Sequence, residues 1–151
     1  RLNNDVEDCY WSMTTSYQEA KMKVLVTTNL NFEAAHMLNS KKQTEEVNEQ
    51  WFGKCKNLHG HNYKLFVTVE GNIRESGMVV NFVEMKKIIR EKIVDVYDHS
   101  LINDLMEEIP TAENMCLLFW EKLEREFKDI NVNLYEIKLY ETDNSFVTIK
   151  R

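Results

Sequence analysis

Proline and glycine are scarce in this sequence of 151 residues, with one proline (Pro110) and four glycines (Gly53, Gly60, Gly71 and Gly77). Each therefore marks a specific break in regular structure. There is no internal repeat, low-complexity tract or interior linker. Cysteine is also sparse: Cys9, Cys55 and Cys116 are widely spaced and odd in number, so they do not form a disulfide framework. A reducing, cytoplasmic setting is the simpler expectation. Basic runs are missing, and 19 Lys+Arg against 25 Asp+Glu leave a net charge of −6, which argues against a nucleic-acid partner. No apolar run approaches the roughly 18 residues of a membrane span. The first 21 residues lack the apolar stretch of a secretory signal. They begin with Arg and read as an N-terminal extension of a trimmed or partial chain, a tail or a segment docking through Tyr10, Trp11 and Tyr17. Residues 22–151 read as one domain.

What remains is an ordinary globular balance, 43% hydrophobic and 29% charged. From Met22 to His36 the pattern alternates, with Val24, Val26, Thr28, Leu30, Phe32 and Ala34 on one parity. That predicts a half-buried strand, long enough to expect a bulge. Asn39 to Gln50 is polar and reads as a loop with at most a helical turn. Alternation returns from His59 to Glu70, with Tyr63, Leu65, Val67 and Val69 sharing a face. The period then changes. Phe82, Met85, Ile89, Ile93 and Val96 recur at three and four residues and predict a helix ending near Tyr97. Pro110 and Thr111 announce a second helix through Met115, Leu118, Phe119, Leu123 and Phe127. Tyr135 to Leu139 and Ser145 to Lys150 complete four strands.

The order β-β-α-α-β-β with short links predicts an α+β domain: a four-stranded antiparallel sheet with two helices on one face. Two helices leave the other face open. Leu25 and Phe66 lie on that face, so a homo-oligomer is expected.

The four histidines are His36, His59, His61 and His99. His59 and His61 stand two apart on a strand and point to the same side. His36 ends the first strand on the parity of Phe32 and Ala34, so adjacent antiparallel strands would bring three rings together. Three imidazoles with an open fourth position suit a catalytic zinc ion. An H-x-H pair in a strand also occurs without metal. Cys55, four residues before His59, reads as a fourth ligand, as a thiolate favoured by Lys54 and Lys56, or as a loop cysteine without a role. Cys116 lies in an apolar helix, where cysteine packs. Asp98 beside His99 is either an oriented acid–base pair or a helix-terminal histidine. Glu141 continues the parity of Ile137 and Leu139 and should face inward, where a carboxylate requires a partner. That partner is a ligand with two N–H donors or a nearby lysine, unless the strand end has already left the sheet.

Six motifs then occur in order from about Val24 to Lys150: Phe32-Glu33-Ala34-Ala35-His36; Phe52 through Tyr63; Gly77-Met78-Val79-Val80-Asn81-Phe82; Asp98-His99 with Asn103; Pro110-Thr111-Ala112-Glu113-Asn114; and Tyr140-Glu141-Thr142. In this set the chain resembles the family of 6-pyruvoyltetrahydropterin and 6-carboxytetrahydropterin synthases. The resemblance implies the tunnelling fold, with sheets joined into a barrel in a hexamer of two trimers. It implies Zn²⁺ on His36, His59 and His61, Cys55 as general base, and Asp98 and His99 as a proton-relay dyad. Glu141 would anchor the pterin ring, with Thr111 in the same pocket. The implied substrate is 7,8-dihydroneopterin triphosphate, which loses triphosphate. The short Cys55-to-His59 spacing and Thr111-Ala112-Glu113-Asn114 resemble the carboxy branch, whose products are 6-carboxy-5,6,7,8-tetrahydropterin and acetaldehyde. Asn48 to Cys55 and Tyr140 to Asn144 resemble the pyruvoyl branch. The carboxy activity is the first expectation, the pyruvoyl activity the alternative, and a non-catalytic pterin-binding zinc protein the third.

Overall fold

The computed structural model describes residues 22–151. The expected N-terminal extension, with Cys9, Tyr10, Trp11 and Tyr17, lies outside the described residues. Strand β1 (Val24–His36) pairs antiparallel with β2 (His59–Gly71) in an unbroken register from Val24 opposite Gly71 to His36 opposite His59. The bulge expected in β1 is not there. The thirteen alternating residues keep one parity toward the core, half-buried at Val24 and Val26 and buried from Thr28 to His36. β4 (Asn133–Thr142) pairs with β2, and β5 (Ser145–Lys150) pairs with β4.

A fifth strand, β3 (Ser100–Leu101), runs parallel to Ala34 and Ala35 at the other edge, giving the order β3-β1-β2-β4-β5. The expected antiparallel four-stranded sheet is thus extended by a two-residue parallel piece. Two residues are too few to leave a periodic signal in the sequence.

A helix also occupies part of the expected loop. α1 (Glu45–Phe52) starts at Thr44, whose hydroxyl accepts the Val47 N–H, and carries Glu45 and Glu46 in its first turn. It has no apolar stripe, because Asn48 is its only buried residue, and that side chain bonds to Ser40 and Thr44. α1 ends at Gly53, whose φ of 49° the absence of a Cβ makes inexpensive.

The core lies between one sheet face and two long helical stretches. α2 (Phe82–Ile89) passes through a π-helical turn (Arg90–Val94) into α3 (Asp95–Tyr97). Met85, Ile89 and Ile93 are buried as the spacing predicts, but Val96 is exposed and Tyr97 is fully buried instead. The π turn adds a residue to the helical repeat and moves the apolar stripe on by one position. α4 (Ala112–Asp129) is capped by Thr111 and buries Met115, Cys116, Phe119, Leu123 and Phe127. The opposite sheet face carries Leu25 and an aromatic row in which Phe66, Tyr140 and Phe146 succeed one another at 5.5 and 4.4 Å. No helix among the described residues is long and apolar enough to cross a membrane.

Candidate metal centre and ligand clefts

The β1–β2 register fixes the site. His36 stands opposite His59 and Ala34 opposite His61, so all three imidazoles leave the same sheet face. Their ligand atoms lie within 4.8 Å of one another. Gly60 separates the two β2 histidines. A Cβ there would approach the Ala34 carbonyl oxygen at 3.3 Å, so glycine permits the close strand contact behind the site.

Two backbone carbonyls set the ring orientations. His36 is fully buried and places Nδ1 2.8 Å from the Pro110 carbonyl. His59 places Nδ1 2.7 Å from the Asn57 carbonyl. A carbonyl oxygen only accepts, so both Nδ1 atoms carry a proton, and in the neutral rings both Nε2 atoms present a lone pair. Those two Nε2 atoms face each other at 3.1 Å. Two lone pairs at that distance repel unless a cation sits between them. Ligands at about 2.0–2.1 Å around a tetrahedral ion stand about 3.3 Å apart, close to the spacing here. His61 Nε2 is buried without a hydrogen-bond partner. Burial is also the main cause that holds the His36 and His61 imidazoles below their usual basicity, which favours the neutral, ligating form. The three residues fit a metal ion of the zinc type.

Glu141 joins them from β4. A bulge separates the pair Tyr140–Phe146 from the pair Thr142–Ser145 and leaves Glu141 as the extra residue, on the inward parity of Ile137 and Leu139. Its Oε1 lies 3.3 Å from Nε2 of both His36 and His61. Among the described residues no lysine pairs with this inward carboxylate, which shares the space at the imidazole Nε2 atoms.

Two clefts border the site, one through His61 and the other through Glu141. One of about 500 Å³ is lined by Glu33, His61, Asn62 and His99 among others. The other, of about 250 Å³, is lined by Thr111, Glu141 and Phe146. Thr111 is more than a lining residue. Its hydroxyl accepts the Asn114 N–H at 3.2 Å as the cap of α4, which leaves its own proton free to donate.

Asp98 and His99 are in direct contact, with Asp98 Oδ2 2.9 Å from His99 Nδ1. Asp98 Oδ1 accepts the Glu33 N–H at 2.9 Å. That amide, and then the His99 side chain, hold the Asp98 carboxyl below the usual range. His99 adopts a φ of 57°, uncommon for a residue with a side chain.

Cys55 stands on a 3₁₀ turn (Gly53–Lys56), exposed and outside the three-imidazole group. The flanking Lys56 directs its ammonium to Glu45 and Glu49. Cys116 is buried, and desolvation pushes its thiol up to about 12, as a packing cysteine requires. The helix α1 that holds Lys56, and the carbonyls of Pro110 and Asn57, were not expected. Backbone groups leave no residue-type signal in a sequence.

A sheet that gathers three imidazoles next to a cleft is a scaffold that can hold a metal ion beside a small-molecule ligand. The chain belongs to the 6-pyruvoyl tetrahydropterin synthase family, whose model matches residues 25–151. It is 40% identical over 132 residues to a 6-pyruvoyl tetrahydrobiopterin synthase of Dictyostelium discoideum, covering 84% of this chain and 96% of that protein. It is 31% identical over 129 residues to a putative 6-carboxy-5,6,7,8-tetrahydropterin synthase of Archaeoglobus fulgidus, covering 85% and 97%. The solved structure of the Caenorhabditis elegans 6-pyruvoyl tetrahydropterin synthase superposes with a TM-score of 0.79 at 31% identity, over 86% of this chain and 96% of that one. The chain is thus an enzyme of the tetrahydropterin synthase type.

Proposed function

We propose that the chain is a zinc-dependent 6-pyruvoyl tetrahydropterin synthase that converts 7,8-dihydroneopterin triphosphate with loss of triphosphate. The observation that carries this reading is the pair of imidazole Nε2 atoms facing each other at 3.1 Å, with His61 lining one neighbouring cleft and Glu141 the other. The branch rests on identity: 40% to a pyruvoyl-type relative against 31% to a carboxy-type one. The carboxy activity expected first from the Cys55-to-His59 spacing remains as the second reading.

His36, His59 and His61 would hold the zinc ion, which supplies Lewis-acid polarisation of the oxygens on the substrate side chain. Glu141 and Thr111 line one cleft with an acceptor pair and a free hydroxyl donor, a match for the N–H and C=O edge of a pterin ring. With the carboxylate charged, two adjacent ring N–H groups bind in bidentate fashion. Cys55 acts as general base and removes a proton from a side-chain carbon. His99, oriented by Asp98 through the Nδ1 contact at 2.9 Å, moves a proton at its Nε2 on the opposite side. Triphosphate then departs, and an internal tautomerisation balances the oxidation level without an external oxidant.

The exposed face with Leu25 and the Phe66–Tyr140–Phe146 row is the surface for joining copies into the barrel, with a hexamer as the assembly. A reducing, cytoplasmic setting agrees with Cys55 and Cys116 both being free thiols.

The test is product identification by mass after incubating the zinc-loaded chain with 7,8-dihydroneopterin triphosphate. A 6-pyruvoyl product without acetaldehyde is expected. Acetaldehyde with a 6-carboxy pterin would move the chain to the second reading. Binding without any product, with zinc confirmed, would leave a pterin-binding zinc protein.

A further inference from the structure

The segment that carries Asp98 and His99 is fastened to β1 by more than the two-residue strand β3. At one end, the Glu33 N–H donates to Asp98 Oδ1 at 2.9 Å, and the Glu33 carbonyl accepts the His99 N–H at 2.6 Å. In the middle, Ala34 and Ala35 pair with Ser100 and Leu101. At the other end the backbone has turned away into a 3₁₀ turn (Ile102–Asp104), so no peptide group of that segment can continue the ladder. A side chain continues it instead. The Met37 N–H donates to Asn103 Oδ1 at 2.9 Å, and Asn103 Nδ2 donates to the Met37 carbonyl at 2.8 Å. The carboxamide takes both hydrogen bonds that a strand residue would have taken.

Two functional histidines lie within this ladder. His36, the last residue of β1, immediately precedes Met37, and His99 follows Asp98 on the opposing segment. His99 is held at a positive φ, a conformation that persists only where its surroundings impose it. Ile102, fully buried, anchors the turn from the core side. The Met37 clamp is thus the outermost rung between the chain that positions a metal-binding imidazole and the chain that positions the dyad.

We infer that Asn103 is a positioning residue that sets the spacing of His99 relative to the three-histidine group. It acts on His36 through the Met37 backbone and on His99 through its own turn. This rests on the proposed roles of those histidines. The chemistry is specific, because a carboxamide offers one donor and one acceptor in a single plane. An aspartate of nearly the same shape keeps the acceptor for the Met37 N–H but sets a second oxygen against the Met37 carbonyl. A glutamine keeps both groups but places them one methylene further out.

The experiment compares Asn103→Asp and Asn103→Gln with the wild-type full chain. Thermal unfolding, zinc affinity by competition with a chromophoric chelator, amide hydrogen exchange, kcat and KM are measured. Both variants are expected to fold. In Asn103→Asp, exchange at the Met37 and His99 amides rises at least tenfold while the centre of the β2–β4 ladder is unchanged. Zinc binds about tenfold more weakly, the lower end of what loss of an outer-shell partner costs. At saturating zinc kcat falls at least tenfold with KM within about twofold, the pattern of a misplaced reacting group. Asn103→Gln keeps the fold and shows the same kcat-only loss, because spacing is what it alters. Folded variants with wild-type exchange at Met37 and His99, or with kcat and KM both unchanged, would overturn the inference. A wild-type chain without synthase activity would remove the proposed function, and exchange and zinc affinity would still decide the role of Asn103.

Discussion

Tyr97 carries a buried hydroxyl whose removal should stabilise the protein. The side chain is fully buried and its oxygen has no hydrogen-bond partner. The ring itself is well placed, 5.0 Å from Phe119 and 6.5 Å from Phe32 between centroids. Tyr97→Phe retains those contacts and deletes only the oxygen. A buried polar group without a partner costs about 1–3 kcal/mol, and a small void where the oxygen stood offsets part of that gain. The expected net effect is about 1 kcal/mol of added stability, or about 2–4 °C in Tm for a chain of this size. Urea unfolding at fixed protein concentration and saturating zinc measures it, with the midpoint raised and the m-value unchanged. Tyr97 immediately precedes Asp98, yet its hydroxyl faces the core, so kcat should stay within about twofold of wild type. An unfolding free energy lowered by about 1 kcal/mol or more would refute the reasoning, since it would mean that the hydroxyl is satisfied in solution.

Two further outcomes concern the proposed chemistry. Cys55→Ala should retain one zinc per chain and lose turnover by at least about a hundredfold, the range of a general base; loss of zinc with activity would make Cys55 a ligand. Asp98→Asn should destabilise the fold at neutral pH by an amount that disappears in acid. The Asp98 carboxyl is lowered from the ordinary 3.8, so its stabilisation is fully present above that value. It is lost as pH falls through the lower folded-state value. The wild-type-minus-variant difference, followed by urea unfolding from pH 7 down to about pH 3, should shrink; a constant difference would show that charge is not its source.

The sequence carried the three-histidine group further than it carried the environment of that group. His36, His59 and His61 were legible because strand parity is a period of two, and a thirteen-residue register without a bulge preserves it from Val24 to His36. Glu141 was legible for the same reason, although it stands at a bulge. Val96 and Tyr97 exchanged places because a π turn shifts the helical phase, and no residue type marks such a turn. β3 and α1 were not legible, the first for its length and the second because its single buried residue is a hydrogen-bonded asparagine. The carbonyls of Pro110 and Asn57 that orient two imidazoles have no sequence signature at all. Lys56 shows a different limit. Its adjacency to Cys55 suggested a thiolate partner, while the fold gives its charge to Glu45 and Glu49 on α1.

The most direct measurement is X-ray absorption at the zinc edge of the reconstituted full chain. The account requires one zinc per chain with nitrogen and oxygen neighbours at about 2.0–2.1 Å and no sulfur, an open site on three imidazoles. A sulfur neighbour at about 2.3 Å would contradict it, because a fourth protein ligand from cysteine closes the position that the proposed reaction needs.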